Sequence, residues 1–535
     1  MILVRNLRLG VEEATEALPA RAAKKLRIGP ERVRDWKLVK RSLDARKKED
    51  LHYVCAVALS LSGGEEQLLA RAKSADVSAY RPPEYVIPRV PCPETPPVVV
   101  GFGPAGMFAA LVLARAGAKP LVIERGQDAL NRRAAVERFR AGGPLDPENN
   151  VQFGEGGAGT FSDGKLNTGI HDPRLFWVLE QFAAHGAPAH IRYDAKPHIG
   201  TDILIDVVQA FRREIQVLGG EVRFGTRLTE LVLEDGRLAG LKVRGPEGES
   251  NLPCRQAVLA IGHSARDTFE MLHRQGIPME PKAFSMGVRI EHRQEQIDLA
   301  QYGRPRGTLP AADYSLNVHL PDGRSAYTFC MCPGGQVFAA ASEEGGVVTN
   351  GMSESARDGE NANAALLVTL HPEDFPGQGV LSGMYWQREI EQAAFRCGGG
   401  DYRAPAQTVG DFLARRPSTG PGSVTPSYRP GVIWGELRQV LPERITDVLE
   451  EAIPALGKKL RGFDAEDAVL TAPETRSSSP VRILRGETLS AAVEGLYPCG
   501  EGAGYAGGIS SAAVDGMRCA EAVCAALTSS QPVIK

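Results

Sequence analysis

Apolar and polar positions along the chain change period several times, and each change marks an element. ILVRNLRL near the start alternates as a strand. EEATEALPARAAKKL repeats at helical spacing, and WKLVKRSL and LHYVCAVALSL return to strand-like patterning, so residues 1–81 are expected to form a small basic α+β module. Prolines 82, 83, 88, 91, 93, 96 and 97 follow; they donate no backbone hydrogen bond and favour extended chain, which makes 82–97 a linker. From 98 to 282 strand and helix patterns alternate (PPVVVG, GMFAALVLARAG, KPLVIERG, DILIDVVQAFRREIQVLGG, EVRFGTRLTELVLED, QAVLAIG), the order of a mostly parallel sheet. Residues 283–470 mix strand-like MGVRIEH, SAYTFCMC and QVFAAASEE with polar loops and helices, as expected of an inserted domain. Residues 471–530 close with a strand, a glycine-rich turn and an apolar helix.

Length and composition narrow the class. A chain of 535 residues exceeds the ~250–300 at which one core stops growing, so two or three domains are expected. The 43% hydrophobic share and formal net charge of −3 describe a globular protein with no global attraction to polyanions. The most apolar helix-like run, Met107 to Ala118, is shorter than the ~20 residues of a membrane span and contains Arg115. With no signal-peptide pattern at the start, a cytoplasmic location is expected. Nine scattered cysteines without a CxxC argue against a disulfide framework or structural zinc, and no metal site is expected.

The chemistry begins at PPVVVGFGPAGMFAALVLARAGAKPLVIERG. Gly101, Gly103 and Gly106 stand in GxGxxG spacing between a β-branched strand and an apolar helix that Gly117 closes. Gly101 allows the turn, Gly103 lets amides near Pro104 and Ala105 approach a pyrophosphate, and Gly106 lets helix and strand pack closely. The helix N-terminus adds a positive dipole end. Glu124, ending the second strand beside Arg125, stands where a carboxylate accepts both hydroxyls of an adenosine ribose. This unit binds an adenine dinucleotide without separating FAD from NAD.

The stretch GLYPCGEGAGYAGGISSAAVDGM, Gly495 to Met517, resembles the second FAD motif of glutathione-reductase-type flavoproteins. Gly500 and Glu501 match the glycine–acid pair whose carboxylate binds the ribityl chain, and the helix starting near Gly507, Gly508 and Ile509 would face the flavin N1 and O2 edge. QAVLAIGHSARDT, with Gly262 at its turn, is similar to the strand closing such an FAD domain, and EVRFGTRLTEL, near Leu228, to the strand that brackets adenine. NNVQFGEGGAGTFSDGKLNTG carries glycines 154, 156, 157 and 159, so that Gly156, Gly157 and Ala158 offer open amides to phosphate or flavin. Together with SLDARKK, FSMGVRIEH, CPGG, APAQTVGDFL and ETRSSSPVRI, these segments make nearly the whole chain similar to a largely uncharacterised family of bacterial FAD-dependent dehydrogenases, distantly like BaiN-like flavoproteins.

The resemblance implies an α/β fold: a Rossmann-like FAD-binding domain of glutathione-reductase type, with the inserted α+β domain and the small amino-terminal α+β module. It implies FAD as cofactor but little of the chemistry; the leading reading is an FAD-dependent oxidoreductase passing hydride through flavin N5, with NAD(P)H or an electron-donor protein as reductant and a small-molecule substrate of unidentified chemistry. Lys165 and Arg476 are the catalytic candidates, the first for negative charge near the flavin, the second, followed by three serines, for a carboxylate, a phosphate or the flavin pyrimidine edge. Arg133 is a candidate for the FAD phosphates or ribose. His263 and Cys499 are weaker site candidates, and Cys330 and Cys332 form a CxC whose two side chains a regular strand would put on one face. Between Arg21 and Lys48 twelve basic residues surround Trp36, which offers two rival readings: a solvated face, or an RNA-binding patch on a flavoenzyme that reduces a nucleobase. A third reading is a binding protein whose docking follows the redox state of FAD.

Overall fold

The computed structural model describes residues 1–529. Its centre is a five-stranded, fully parallel sheet in the order Leu496–Pro498, Ala257–Leu259, Val98–Val100, Leu121–Ile123, Glu221–Arg223. Leu496–Pro498 thus pairs directly with Ala257–Leu259, more than two hundred residues earlier, and the chain between them is an insertion. The helix Pro104–Ala116 runs against Thr201–Val217 and Ile509–Ser529, and nearly all of its residues are buried, which is why its sequence lacks a polar face. Gly117 ends it in the left-handed region at φ 100°, its N–H bonding the Ala114 carbonyl.

The pattern EVRFGTRLTELVLED, continuous in sequence, divides at Gly225, where φ is +61°. Glu221–Arg223 edges the parallel sheet, whereas Arg227–Glu234 opens a separate antiparallel meander with Arg237–Gly245 and Gly248–Pro253.

The inserted domain is built on a seven-stranded mixed sheet in the order Asn317–His319, Ser325–Cys332, Asn361–Leu370, Phe284–Arg293, Val469–Glu474, Ala404–Thr408, Val432–Trp434. Val469–Glu474 pairs with Phe284–Arg293 and Ala404–Thr408. The boundary expected at 470 thus cuts a strand, and the inserted domain extends through Glu474. One large core beneath this sheet joins it to Glu443–Gly457.

The amino-terminal module is a four-stranded antiparallel sheet, order Val33–Asp44, His52–Leu61, Ile2–Gly10, Val77–Ala79, with the helix Leu18–Leu26 on its apolar face. It docks on the body: Arg41 pairs with Asp194 at 2.7 Å, and their backbones form a bridge. Several cations of the basic stretch have internal partners, Arg21 with Glu13, Lys25 with Asp76 and Arg46 with Asp44. The proline-rich segment has no regular structure but is tied down, Val90 N–H to the Ala116 carbonyl and Tyr85 hydroxyl to Glu521 at 2.8 Å. No described helix is long and apolar enough to cross a membrane.

Candidate functional site

A cavity of about 430 Å³ lies between the carboxyl ends of the parallel strands and the inserted sheet, the place where open α/β sheets receive ligands. Its first wall is the turn after Val98–Val100. Gly101 adopts φ +97°, and a Cβ there would lie 2.3 Å from the Ala260 carbonyl oxygen. At Gly106 a Cβ would come within 1.9 Å of the Gly101 oxygen, so this glycine sets the helix-to-strand distance without touching the cavity. Gly101, Gly103, Pro104 and Ala105 line the space.

Glu124 lines it too, and has a further task. Its Oε2 accepts the Phe102 N–H at 2.8 Å, and Oε1 accepts those of Gly126 and Gly154 at 2.9 Å each. One buried carboxylate therefore clamps the first turn, the second strand end and the glycine loop. That loop packs Gly157, at φ +61°, against Gly103, and Gly157 and Ala158 line the cavity. Gly156 lies outside the lining, at φ +81°, its α-carbon facing Thr160 and Val208.

Arg125 reaches the cavity over the Phe153 ring, 4.1 Å away, with Glu148 and Asp267 as ion partners. Arg133 does not. It lies on the exposed side of the helix Ala129–Arg140, paired with Glu137 at 2.9 Å. The adjacent Arg132 is fully buried and donates to the carbonyls of Asn150 (2.8 Å), Val151 (2.7 Å) and Glu155 (2.8 Å), holding the glycine loop from behind. Burial pushes its guanidinium down to about 10.

The carboxy-terminal motif supplies the second wall. Glu501, Gly507, Gly508 and Ile509 line the cavity, as do Leu228 and Gly262. Gly500, at φ +74°, stands behind it with its N–H on Asp515 Oδ2 at 2.8 Å, and Asp515 is held in turn by Arg485. Cys499, Asp515 and Cys519 approach within 4.8 Å, but Arg485 binds both Asp515 oxygens, so this cluster is a closed ion pair. Burial pushes Glu501 up to about 7, partly offset by the Lys282 charge. His263 lies 3.7 Å from Glu501; burial and the nearby arginines 476 and 266 push it down to about 3, which keeps it neutral.

The third wall belongs to the inserted domain and the loop facing it. Lys165 pairs with Asp163 at 3.0 Å and donates to the Met331 carbonyl, while Arg357 holds the other side of Asp163. Cys330, Asn350, Tyr314 and Glu474 line the same space. Glu474, pushed up to about 7 by burial against the pull of Arg289, is protonated in part near neutrality. The Tyr314 hydroxyl is buried without a partner. Arg476 lines the cavity but is not free for a ligand. It donates to Glu391 through Nε (3.0 Å) and Nη2 (2.7 Å) and to Ser342.

Sequence reasoning passed over Asp163, Tyr314, Asn350 and Glu474. Glu474 had a local signal, as an acid ending a buried strand just before the singled-out ETRSSSP segment. The others are assembled by contacts distant in sequence, Asp163 with Arg357, Tyr314 with Phe463 and Asn350 with Arg289.

The residues present fit FAD. Gly262, Gly507 and Gly508 face the cavity with nothing within 4 Å of a notional Cβ. Two helix N-termini, at Pro104 and Ile509, open beside the lining, and Glu124 and Glu501 stand at the two glycine turns.

Residues 283–477 match a family described as FAD-dependent protein, C-terminal domain-like, and residues 1–60 match a domain of unknown function. A Clostridium beijerinckii protein, described as uncharacterized, is 49% identical over 526 residues, covering 97% of this chain and 98% of its own. Among solved structures, the flavin-dependent brominase Bmp2 is 14% identical over 81% of this chain and 79% of its own, with a TM-score of 0.37. A variant of E. coli quinol fumarate reductase FrdA is 12% identical over 82% and 70%, with a TM-score of 0.38. A geranylgeranyl bacteriochlorophyll reductase-like protein from Thermoplasma acidophilum is 13% identical over 81% and 79%, with a TM-score of 0.36.

Proposed function

The chain belongs to one family with the Clostridium beijerinckii protein; on that premise, and on the match of residues 283–477 to the FAD-dependent protein, C-terminal domain-like family, we propose that it is an FAD-dependent oxidoreductase. It would pass two electrons as hydride between a small organic substrate and flavin N5. The observation that carries this reading is the single cavity in which the Gly101–Glu124 turn and the Glu501–Ile509 turn meet Lys165, Tyr314 and Glu474 from the other side.

When bound, FAD supplies the redox chemistry. The chain supplies the rest. The amides after Gly103 and the helix end at Pro104 would receive the pyrophosphate, and Glu124 would accept one ribose hydroxyl with the Oε2 lone pair that its three amide donors leave free. Glu501 takes the ribityl chain, and the helix end at Ile509 stabilises negative charge at the flavin pyrimidine edge. On the substrate side Lys165 holds a positive charge, fixed by Asp163 and the Met331 carbonyl. Glu474, poised near 7, is the group best able to give or take a proton there. Arg476 acts as a positioning residue, holding Ser342 and the 474–477 segment through Glu391.

Among the described residues only the Gly101–Gly106 GxGxxG starts directly at a strand end and finishes inside a helix, so NAD(P)H would dock transiently, or a redox protein would deliver the electrons. Anaerobic stopped-flow mixing of FAD-loaded protein with NADH, NADPH and reduced carrier proteins tests the reading, followed by reoxidation against organic acceptors. Bleaching by one donor and return of the yellow colour with an acceptor is expected. A flavin that no donor reduces overturns the enzyme reading in favour of a binding protein.

A further inference from the structure

The segment Cys330-Met331-Cys332 lies in the strand Ser325–Cys332 and faces the cavity. In a regular strand residues two apart are about 6.6–6.8 Å apart with parallel side chains, at the limit for a disulfide. Here the strand is not regular. Phe329 pairs with Ala365 and Cys332 with Asn363, so three steps on one strand oppose two on the other: a β-bulge. Cys330 occupies the left-handed region at φ +42°, rare for a residue with a side chain. The bulge folds residue 332 back on residue 330, so that the Cys332 thiol donates to the Cys330 carbonyl at 3.2 Å.

The bulge is held from three sides. Arg289 donates to the Cys330 carbonyl at 3.1 and 3.3 Å, Lys165 donates to the Met331 carbonyl, and Cys332 closes the third contact. Cys332 is fully buried, whereas Cys330 is half-buried and opens into the cavity, beside Tyr314 with its unpartnered hydroxyl. The charged groups around Cys330 are Lys165 and Arg289, which favour its thiolate, and Asp163, which opposes it; Glu474 and Glu501 also lie within reach of its charge. The balance, led by the Cys332 thiol, draws Cys330 down to about 5 and raises Cys332. One ionised sulfur and one protonated sulfur are the forms a dithiol needs to close.

We propose that Cys330 and Cys332 form a redox-active dithiol that exchanges two electrons with the FAD of the same cavity and is recharged by a low-molecular-weight thiol. This rests on the FAD reading above. As the S–S bond forms, the Cys332 S–H bond breaks, and the pair gives up two electrons and one proton, all taken up by oxidised FAD. Recharging runs through thiol exchange at Cys330, the sulfur facing the cavity. One small thiol attacks it and forms a mixed disulfide, a second displaces Cys330, and the small disulfide leaves with both cysteines reduced.

The test begins with FAD-free protein equilibrated across mixtures of reduced and oxidised dithiothreitol, then alkylated and mapped by mass spectrometry. A reversible Cys330–Cys332 disulfide is expected, with the other seven cysteines alkylated throughout. Two free thiols at every poise, or a Cys499–Cys519 disulfide in their place, overturns the pair, and no variant has to fold for this result. In the second arm FAD-loaded protein is mixed anaerobically with reduced dithiothreitol and no nicotinamide. Bleaching is expected to be at least tenfold slower in Cys330→Ser and Cys332→Ser than in the unaltered protein. Equal rates in all three overturn electron exchange with FAD while the retained yellow colour leaves the cofactor reading standing. A chain that holds no FAD overturns that reading and the acceptor together, and the first arm still decides the disulfide.

Discussion

Arg476 and Glu391 are joined by two hydrogen bonds, Nε to Oε1 at 3.0 Å and Nη2 to Oε2 at 2.7 Å, with both side chains shielded from solvent. Arg266 binds the same carboxylate through two bonds of 2.8 Å. Glu391 is therefore a buried anion between two buried cations, and its carboxyl is held well below the usual range despite burial, because both guanidinium groups favour the charged form. Removing the anion leaves the two buried cations to share Glu343, 2.5 Å from Arg266 and 4.0 Å from Arg476. Glu391→Ala should lower the unfolding free energy by about 3–5 kcal/mol in urea. A loss under ~1 kcal/mol would contradict this account of Arg476.

The neighbours Arg132 and Arg133 should behave oppositely. Arg133→Ala removes one exposed i,i+4 pair and should change stability by less than ~0.5 kcal/mol, with FAD affinity unaltered. Arg132→Ala strips donors from three buried carbonyls of the loop that forms one cavity wall, at ~1–3 kcal/mol for each group left unpaired. Chemical denaturation with FAD titration checks both, and a large effect of Arg133 on FAD binding would restore it as a ligand.

The glycine turns separate packing from ligand approach. Gly106→Ala places a methyl group 1.9 Å from the Gly101 oxygen, so helix and strand must part; a loss of about 1–3 kcal/mol is expected in the FAD-free protein. Gly507 has open space at its Cβ position. Gly507→Ala should leave FAD-free stability nearly unchanged and weaken FAD binding, measured by fluorescence titration. Unchanged affinity would mean that the flavin does not pass this residue.

How much of this was readable in the chain depends on the distance over which each feature is encoded. The Gly101–Gly106 turn is local, so glycine spacing, the apolar helix and Glu124 mark it in the sequence itself. Arg132 was readable too, because Ala129, Ala135, Val136 and Phe139 mark the buried face of its helix and 132 falls on it, whereas 133 does not. The clamp of Glu124 on Gly154 spans 30 residues, and the Arg476–Glu391 pair spans 85. No periodicity carries such pairings. The boundary at 470 failed for a related reason: Val469–Glu474 reads as a strand, but nothing in it says which sheet it joins. The bulge at Cys330 is likewise set by its neighbour strand and by Arg289, not by the alternation of its own residues.

Glu474 gives the site a pH signature that stability alone can read. Its folded value of about 7 stands above the ordinary value for glutamate, because burial penalises the carboxylate more than Arg289 rewards it. The folded state therefore holds a proton that the unfolded chain gives up. Its contribution is fully present below about pH 4.3, declines as pH rises, and is gone once the folded carboxyl ionises above about 7. A displacement of this size corresponds to on the order of 3–4 kcal/mol. Glu474→Gln keeps a neutral, similarly shaped side chain at all pH values, so the FAD-free variant should match the unaltered protein near pH 4 and exceed it in stability above pH 7. Parallel urea titrations from pH 4 to 8 measure the gap, and curves that stay parallel across this range would show that Glu474 is ionised in the folded protein and is not the proton-bearing group of the cavity.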